Sequence, residues 1–402
     1  MIKRIYTLVL LVVLLGTQSI SAQKKVRESI NFGEGSKRHE IAIPQVNGYN
    51  VYKADLHVHT LYSDGGMLPS ARVDEAWHDG LDIIAITDHY EIRKYEQRFL
   101  DFLYGYFGGK APKAKNNRIT VKNPADKDGI MVDMNQPVRE AQERAKLYGM
   151  LVIPGTEISR ESTQQGHFNV LFAKDYNKLY DIDIEKCFAK AREQGALIIH
   201  NHPGWRRKTM DKSPEQEQIY AEKLVDGIEV VNGLNLYPKM IDRCVDEKLT
   251  IFANTDCHRT SAQYYPRGGE IFRTMTFILA KDCTEKAIKD ALLKRRTIGY
   301  SHNHLIGEEM WLKEFLNAAV ECKFLAENEK KGHRAYQLTN HCSVPFILRR
   351  GKAIYTLNPF QSIRVNFGKD KETQVYRKPE FVVDNMWTVG DKHPKFTIEI
   401  DK

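Results

Sequence analysis

The chain has 402 residues, of which 42% are hydrophobic and 28% charged, and its formal net charge is +8. This composition excludes a wholly disordered, collagen-like or coiled-coil protein. A chain of this length folds without disulfide bonds, and two domains are expected. The positive charge is compatible with anionic substrates but falls short of the dense basic stripe of a dedicated nucleic-acid binder.

The first 22 residues have the features of a secretory signal peptide. Lys3 and Arg4 form a positive start, residues 6–15 are apolar but short for a membrane span, and Ala22 precedes a polar stretch. We expect cleavage near Ala22 and a secreted or periplasmic protein without stable membrane insertion, with an uncleaved anchor as the alternative. The six cysteines form no C-x-x-C pair, which favours free and mostly buried thiols.

From residue 51 to about residue 300, short apolar runs alternate with amphipathic stretches of helical spacing. The apolar runs cover residues 51–58, 81–87, 150–153, 168–173, 196–199, 227–231 and 249–253. The predicted helices between them cover residues 69–79, 136–148, 184–194, 214–224 and 237–247. Continuous apolar runs that alternate with helices predict an α/β fold with buried parallel strands.

Two regions depart from this alternation. Residues 91–135 are rich in aromatic residues, and we expect a helix and a long excursion over one face of the barrel. That excursion either determines substrate specificity or simply packs on the barrel. Beyond about residue 305, a predicted helix over residues 308–320 precedes short runs with β spacing. These runs predict a small β-sandwich-like domain over residues 305–402.

Six short segments carry histidines and carboxylates, and five of them lie at or just after the end of a predicted strand. Their residues are His57, His59 and Asp64, then His89, Glu157, His167, His200, His202, Asp256 and His258. His57 and His59 point the same way if they lie on a strand, and the carboxyl ends of barrel strands carry active sites. Imidazoles and carboxylates without paired thiolates suit Zn, Mn or Fe. Because so many ligands exceed the needs of one ion, we predict two or three divalent metal ions, with Glu157 as the bridging carboxylate.

In this order, the segments DLHVHT…SD, TDH, GTE, GHFNVLF, HNHPG and NTDCH resemble the PHP (polymerase and histidinol phosphatase) family. The resemblance covers about residues 50–300 and implies a distorted (β/α)7 TIM-like barrel, over residues 50–304, that hydrolyses phosphate esters. It implies one metal at His57, His59, Glu157 and Asp256, a second at Glu157, His167 and His202, and a third at Asp64, His89 and His258. The family pattern favours His202 over His200 as the ligand, although strand periodicity points both side chains the same way.

Four arginines that follow these segments are candidate phosphate binders, because the planar guanidinium matches phosphate oxygens. They are Arg160, Arg206, Arg207 and Arg259. We expect Arg259 and one of Arg206 or Arg207 to bind the substrate, with solvated surface positions as the alternative. A metal-held hydroxide attacking phosphorus in line is the implied mechanism. His89 or His258, if not metal-bound, is the candidate acid for the leaving group.

The predicted function is a phosphodiesterase acting on a small phosphorylated substrate, and the alternatives stay open. A phosphomonoesterase of the same family differs only in its substrate. An amidohydrolase-type barrel also begins with H-x-H, but such sites commonly bridge their metals with a lysine. An extracellular nuclease agrees with the charge, yet no interleaving of stacking aromatic and basic residues indicates an obligate nucleic acid. A non-catalytic metal- or carbohydrate-binding protein that works through the β-sandwich-like domain is disfavoured by the full set of ligands, because a buried polar cluster is costly without a metal. The oligomeric state is open.

Overall fold

The computed structural model describes residues 38–91, 133–159, 165–181, 183–265 and 271–400. The predicted signal peptide and most of the predicted excursion at residues 91–135 therefore lie outside the described residues. Among the helices that are described, none is long and apolar enough to cross a membrane. All six cysteines are free thiols, and five of them are buried, as the sequence predicts.

The barrel region contains eleven strands within the described residues. They are β1 (Asn50–Asp55), β2 (Ile83–Ile86), β3 (Leu151–Ser159), β4 (His167–Leu171), β5 (Leu197–Asn201), β6 (Gly227–Asn232), β7 (Asn235–Leu236), β8 (Thr250–Asn254), β9 (Met275–Ala280), β10 (Thr297–Ser301) and β11 (His304–Ile306). They form one mixed sheet in the order β11-β10-β9-β1-β2-β3-β4-β5-β6, and both β7 and β8 pair with β6.

Seven helices are described, and six of them match the sequence prediction to within a few residues. They are α1 (Pro69–His78), α2 (Gln136–Ala145), α3 (Ile184–Glu193), α4 (Pro214–Ala221), α5 (Pro238–Asp246), α6 (Glu285–Leu293) and α7 (Glu309–Ala319). Proline occupies the first turn of α1, α2, α4 and α5, where its missing N–H has no helical partner to lose. The unpredicted helix is α6, which begins at a Thr284 side chain that accepts from Ala287 N.

The direction of β4 corrects the expectation of uniformly parallel strands. β1, β2 and β3 are parallel to one another, as are β5, β6 and β8. β4 runs antiparallel between β3 and β5, with Ser159 opposite His167 and His167 opposite Asn201. Because β4 runs the other way, its first residue lies at the edge where its neighbours end. This explains why His167 precedes its apolar run whereas the other candidate ligands follow theirs.

The sheet curls into a half-barrel that brings the end of β8 next to the end of β1. His59 N donates to Cys257 O at 3.1 Å, and Asp256 N donates to His57 O at 2.9 Å. The Thr276 hydroxyl of β9 bonds both the N–H and the carbonyl of Ala253 in β8. The fold is therefore α/β with a curled mixed sheet, and its sevenfold β/α repeat stays a prediction.

The C-terminal region adds further strands. They are β12 (Val320–Asn328), β13 (His333–Asn340), β14 (Phe346–Arg350), β15 (Ala353–Leu357), β16 (Ser362–Gly368), β17 (Glu380–Val383), β18 (Met386–Trp387) and β19 (Lys395–Thr397). They make a three-stranded sheet, β12-β13-β16, and a four-stranded sheet, β15-β14-β17-β19, while β18 joins the large sheet beside β11. Phe315 of α7 contacts both Phe277 of the barrel and Phe346 of the β region, so one apolar core runs between them.

Candidate metal centre

The structure brings all nine predicted metal-ligating residues together at one edge of the large sheet. Four overlapping groups of three or four side chains have candidate ligand atoms within 4.8 Å of one another. Their members are His57, His59, Asp64, His89, Glu157, His167, His202, Asp256 and His258. Most come from residues just after β1, β2, β5 and β8, while Glu157 lies within β3 and His167 begins β4.

Glu157 lies at the centre of this cluster and is fully buried. Its Oε1 atom is 3.3 Å from His167 Nδ1 and 3.2 Å from His202 Nε2. Its Oε2 atom is 2.8 Å from His89 Nδ1 and 3.5 Å from His59 Nε2. The two oxygens of one carboxylate therefore face two separate sets of imidazoles, which is the arrangement that a bridging ligand needs.

Asp256 is a second carboxylate that contacts the His57 and His59 pair. Its Oδ1 atom is 3.2 Å from His57 Nε2 and 3.0 Å from His59 Nε2. The two Nε2 atoms are themselves 3.1 Å apart. His57 and His59 therefore converge on one point, with Asp256 and Glu157 completing the set, although β1 ends at Asp55 and neither histidine lies on the strand that the prediction assumed.

A third group lies nearer to solvent. Asp64 Oδ1 is 3.2 Å from His258 Nε2, 3.5 Å from His89 Nε2 and 3.9 Å from His59 Nδ1. The side chains of Asp64 and His258 are 25% and 36% exposed, whereas that of Glu157 is 1% exposed. The cluster thus has two parts. The buried inner part surrounds Glu157, and the more exposed outer part consists of Asp64, His89 and His258.

Several ligand atoms in the cluster have no other hydrogen-bond partner. Among the described residues, Glu157 Oε2, Asp64 Oδ1, Asp256 Oδ1 and His167 Nδ1 are buried without one. His89 Nδ1 lies 2.7 Å from Ser159 Oγ, which competes with Glu157 Oε2 for this nitrogen. A buried polar atom without a partner costs about 1–3 kcal/mol. Divalent metal ions would satisfy these atoms together, so the residues fit a metal cluster.

The pKa values of His57 and His59 are shifted in opposite directions by their surroundings. Burial lowers the pKa of His57, but the carboxylates of Asp256, Glu229 and Glu157 outweigh this and raise it well above its usual value. Burial, together with His258 and His89, lowers the pKa of His59 to about 4, so this imidazole stays neutral at neutral pH.

The outer group shows the clearest charge pairing. Burial opposes the charged form of His258, yet the adjacent carboxylates of Asp64 and Asp256 raise its pKa to about 9. Burial likewise opposes ionisation of Asp64, but His258, His89 and His59 lower its pKa to about 2. Without metal, this group is therefore held together as an ion pair.

The two histidines of the HNH segment point in different directions, which corrects the expectation from strand periodicity. β5 ends at Asn201, and His202 has a φ of 26°, so the alternation stops between the two histidines. His202 joins the cluster, while His200 Nδ1 lies 2.7 Å from the Tyr220 hydroxyl of α4. Within the described contacts, His200 packs between the sheet and a helix instead of facing the cluster.

The four arginines predicted to bind phosphate differ in their surroundings. The Arg206 guanidinium lies 4.3 Å from the centre of the Trp205 ring, and that ring is 4.9 Å from the His167 ring. Arg207 donates to Gln216 Oε1 and to the Asp211 carbonyl, so its guanidinium is already engaged. Arg259 is exposed. Arg160 lies outside the described residues.

Sequence reasoning missed three buried carboxylates that support the cluster. Asp88 accepts hydrogen bonds from Thr60 and Ser63, and Asp55 accepts from Thr255 and Arg273. Glu229 lies inside β6 and accepts from four groups. The available signal was a carboxylate beside or within an apolar strand, a position where an unpaired charge is costly.

Comparison with known proteins identifies the family of the chain. The PHP domain model matches residues 55–207. A crystal structure of a two-domain protein from Bacteroides vulgatus, containing a predicted PHP-like metal-dependent phosphoesterase, is 32% identical to this chain. The match covers 90% of this chain and 98% of the other, with a TM-score of 0.75. The chain belongs to the PHP family.

Two other solved structures resemble this PHP chain more distantly. A putative metal-dependent phosphoesterase from Bifidobacterium adolescentis is 15% identical, with a TM-score of 0.37 over 60% of this chain and 96% of its own. An amidohydrolase from Chromobacterium violaceum is 13% identical, with a TM-score of 0.35 over 52% of this chain and 89% of its own. At these TM-scores neither bears on the activity. No curated protein matches the chain.

Proposed function

We propose that this PHP protein is a metal-dependent phosphoester hydrolase, and specifically a phosphodiesterase that acts on a small phosphorylated substrate. The observation that carries the proposal is Glu157, whose two buried oxygens face two different sets of imidazoles. The Bacteroides vulgatus relative, which contains a predicted metal-dependent phosphoesterase, supports the same reaction class.

The nine ligand candidates divide into three sets in this proposal. His57, His59, Glu157 and Asp256 would hold one ion, Glu157, His167 and His202 a second, and Asp64, His89 and His258 a third. Zn, Mn or Fe suits these donors, and two or three ions are expected. When bound, such ions lower the pKa of a water ligand to about 7 and polarise phosphoryl oxygens.

The chain's own residues would bind the substrate and move the proton. Trp205 holds Arg206 at the rim of the cluster, where its guanidinium would bind a phosphate oxygen. Arg259, exposed next to His258, is a second candidate for this contact. Where only the inner ions are bound, His258 is the candidate proton donor to the leaving group, because Asp64 Oδ1 lies 3.2 Å from its Nε2 atom and favours the protonated imidazole. His89 is the alternative donor.

The preference for diesters is the finer part of the proposal. It follows from the predicted export of the chain, which favours scavenged extracellular phosphates, and from the β-rich region after the barrel. A bridging Glu157 with a late Asp-x-His pair also separates this site from an amidohydrolase-type site that bridges its metals with lysine.

The test compares hydrolysis of bis-p-nitrophenyl phosphate and p-nitrophenyl phosphate by metal-loaded protein. Glu157→Gln serves as the inactive control, and protein stripped with a chelator serves as the metal-free control. We expect the higher kcat/KM with the diester. Turnover of the monoester alone would overturn the diester preference. If metal-loaded protein hydrolysed neither of these phosphates nor any ester in a wider panel of phosphate esters, the reaction class would be overturned.

A further inference from the structure

Glu229 is a buried charged residue in the middle of an apolar strand. It lies in β6 between Ile228 and Val230, and all three side chains are fully buried. A buried carboxylate is expensive unless it is paired and hydrogen-bonded. The partners of Glu229 therefore reveal what the residue does.

Four donors surround the carboxylate, two at each oxygen. Oε1 accepts from His57 Nδ1 at 2.8 Å and from Asn254 Nδ2 at 2.9 Å. Oε2 accepts from His202 N at 2.9 Å and from Asn232 Nδ2 at 3.0 Å. Because each oxygen already accepts two hydrogen bonds, the carboxylate has no lone pair left for a metal ion. It would therefore act on a bound ion only through His57 and His202, which it contacts directly.

The contact with His57 selects one form of its ring. Once an ion has displaced the second proton of this ring, Nδ1 carries the proton that Glu229 accepts and the lone pair of Nε2 is free for the ion. That Nε2 atom is the one that lies 3.2 Å from Asp256 Oδ1. Glu229 thus presents the metal-binding atom of His57 to the inner part of the cluster.

The contact with His202 acts on the backbone. His202 has a φ of 26°, a left-handed conformation that is unfavourable for a residue with a side chain. Its N–H is held by Glu229 Oε2, and its Nε2 atom then lies 3.2 Å from Glu157 Oε1. The bond to Glu229 therefore supports the turn that directs His202 inwards while His200 points away.

We propose that Glu229 is a positioning residue that sets ligands of the first and the second metal ion at once. His57 belongs to the first proposed ion and His202 to the second, and a single carboxylate fixes both. The inference rests on the proposed metal centre, but it does not depend on which ester the protein hydrolyses.

Glu229→Gln tests this role because glutamine has nearly the same shape but only one acceptor oxygen. Whichever way the amide is oriented, its NH2 group faces one of the two donor pairs. Asp226→Asn is the matched control. Asp226 is also a largely buried carboxylate, it lies just before β6 at the far end of the strand, and it bonds Ile198 N and Arg192.

The primary readout is metal binding, measured by titrating Zn²⁺ against a competing chelator, together with the absorption spectrum of the Co²⁺-loaded protein. Loss of an outer partner of a ligand typically weakens metal binding about 10–100-fold. We expect a loss of this size for the two tightest ions in Glu229→Gln and an altered Co²⁺ spectrum. Asp226→Asn should match the wild type in both. Wild-type affinity and spectrum in Glu229→Gln would overturn the proposal.

Glu229→Asp keeps the experiment decisive if the glutamine variant does not fold. Aspartate retains the charge but has a shorter side chain. We therefore expect Glu229→Asp to bind metal more weakly than the wild type but more tightly than Glu229→Gln, for which a loss of about 10–100-fold is expected. Unchanged metal affinity in Glu229→Asp would contradict the role. Wild-type protein that binds Zn²⁺ but hydrolyses no ester would remove the proposed function and leave this test intact. Wild-type protein that binds no Zn²⁺ or Co²⁺ would overturn the positioning role itself.

Discussion

The inner and outer parts of the metal centre are built differently. The inner part is centred on Glu157 and His167, which lie within strands of the large sheet and are buried. The outer part contains Asp64 and His258, which lie in segments after strands and are 25% and 36% exposed. His57, His59 and His202 of the inner part also follow strands but are buried as well, and burial strengthens electrostatic interactions. The inner part is therefore expected to hold its ions more tightly.

The largest effect is expected from Glu157→Gln. In the proposed site this carboxylate would neutralise two ions, and loss of one electrostatic stabiliser in an active site costs about 10²–10³-fold in kcat. We expect kcat/KM on a diester to fall by about 10³-fold or more, with metal content reduced. The fall in kcat/KM should exceed that caused by replacing any single histidine that would bind only one ion, such as His167→Ala. Near-normal turnover with full metal content would remove the bridging role.

Stepwise removal of metal tests the contrast between the two parts directly. With increasing chelator, the ion of the outer group should leave first and the two inner ions together at a higher concentration. Elemental analysis of the protein after dialysis at each chelator concentration measures this. Loss of all ions in one step would show that the two parts do not differ in affinity.

The affinity for metal should rise with pH. Without metal, the pKa values of His57, His89 and His202 lie above the usual value, and that of His258 is about 9. An ion must displace these protons, so Zn²⁺ binding should strengthen from about pH 6.5 to about pH 9 and then level off. Proton release on Zn²⁺ addition, measured in weakly buffered solution, checks the sign. An affinity independent of pH over this range would contradict it.

The same raised pKa values predict how the metal-free protein responds to pH. A histidine whose pKa is higher in the folded state stabilises that state fully below its unfolded pKa of about 6.5. For His258 this contribution is lost as the pH rises through about 9. Thermal unfolding of metal-free protein should therefore begin at lower temperature at pH 9 than at pH 6.5, and the difference should shrink once Zn²⁺ is bound.

The smallest effect among the ligands is expected from Asp64→Ala. The closest contacts of Asp64 are His258 and His89 of the outer group, while His59 of the inner part is 3.9 Å away, so the affinity for the inner ions should change little. We expect the loss of at most one ion per chain and the mildest reduction in kcat/KM of any ligand variant. Loss of two or more ions would show that the outer group supports the inner one.

Much of this site could be predicted because its residues follow apolar strands. The nine candidate ligands occupy short motifs at strand ends, and the curled sheet brings those ends together. Helix positions were also predictable, because prolines and helical spacing mark most of them. The direction of β4 could not be derived, since an apolar run has the same composition in either direction.

Other features depend on contacts between residues far apart in the chain. Glu229 is 172 residues from His57, and no local pattern connects them. The divergence of His200 and His202 depends on the backbone turn after Asn201, which periodicity does not describe. Arg207 donates a hydrogen bond to Gln216 of α4, and the sequence around Arg207 does not indicate this contact. The roles of Arg206 and Arg259, the domain boundary at residues 304–305 and the secreted location stay predictions.

The central claim is that Glu157 bridges two metal ions at the end of the curled sheet. Anomalous diffraction from crystals of metal-loaded protein, collected at the absorption edge of the bound metal, tests it most directly. The account predicts two ions about 3.5–4 Å apart, one beside each oxygen of Glu157. A single ion, or two ions of which Glu157 binds only one, would contradict it.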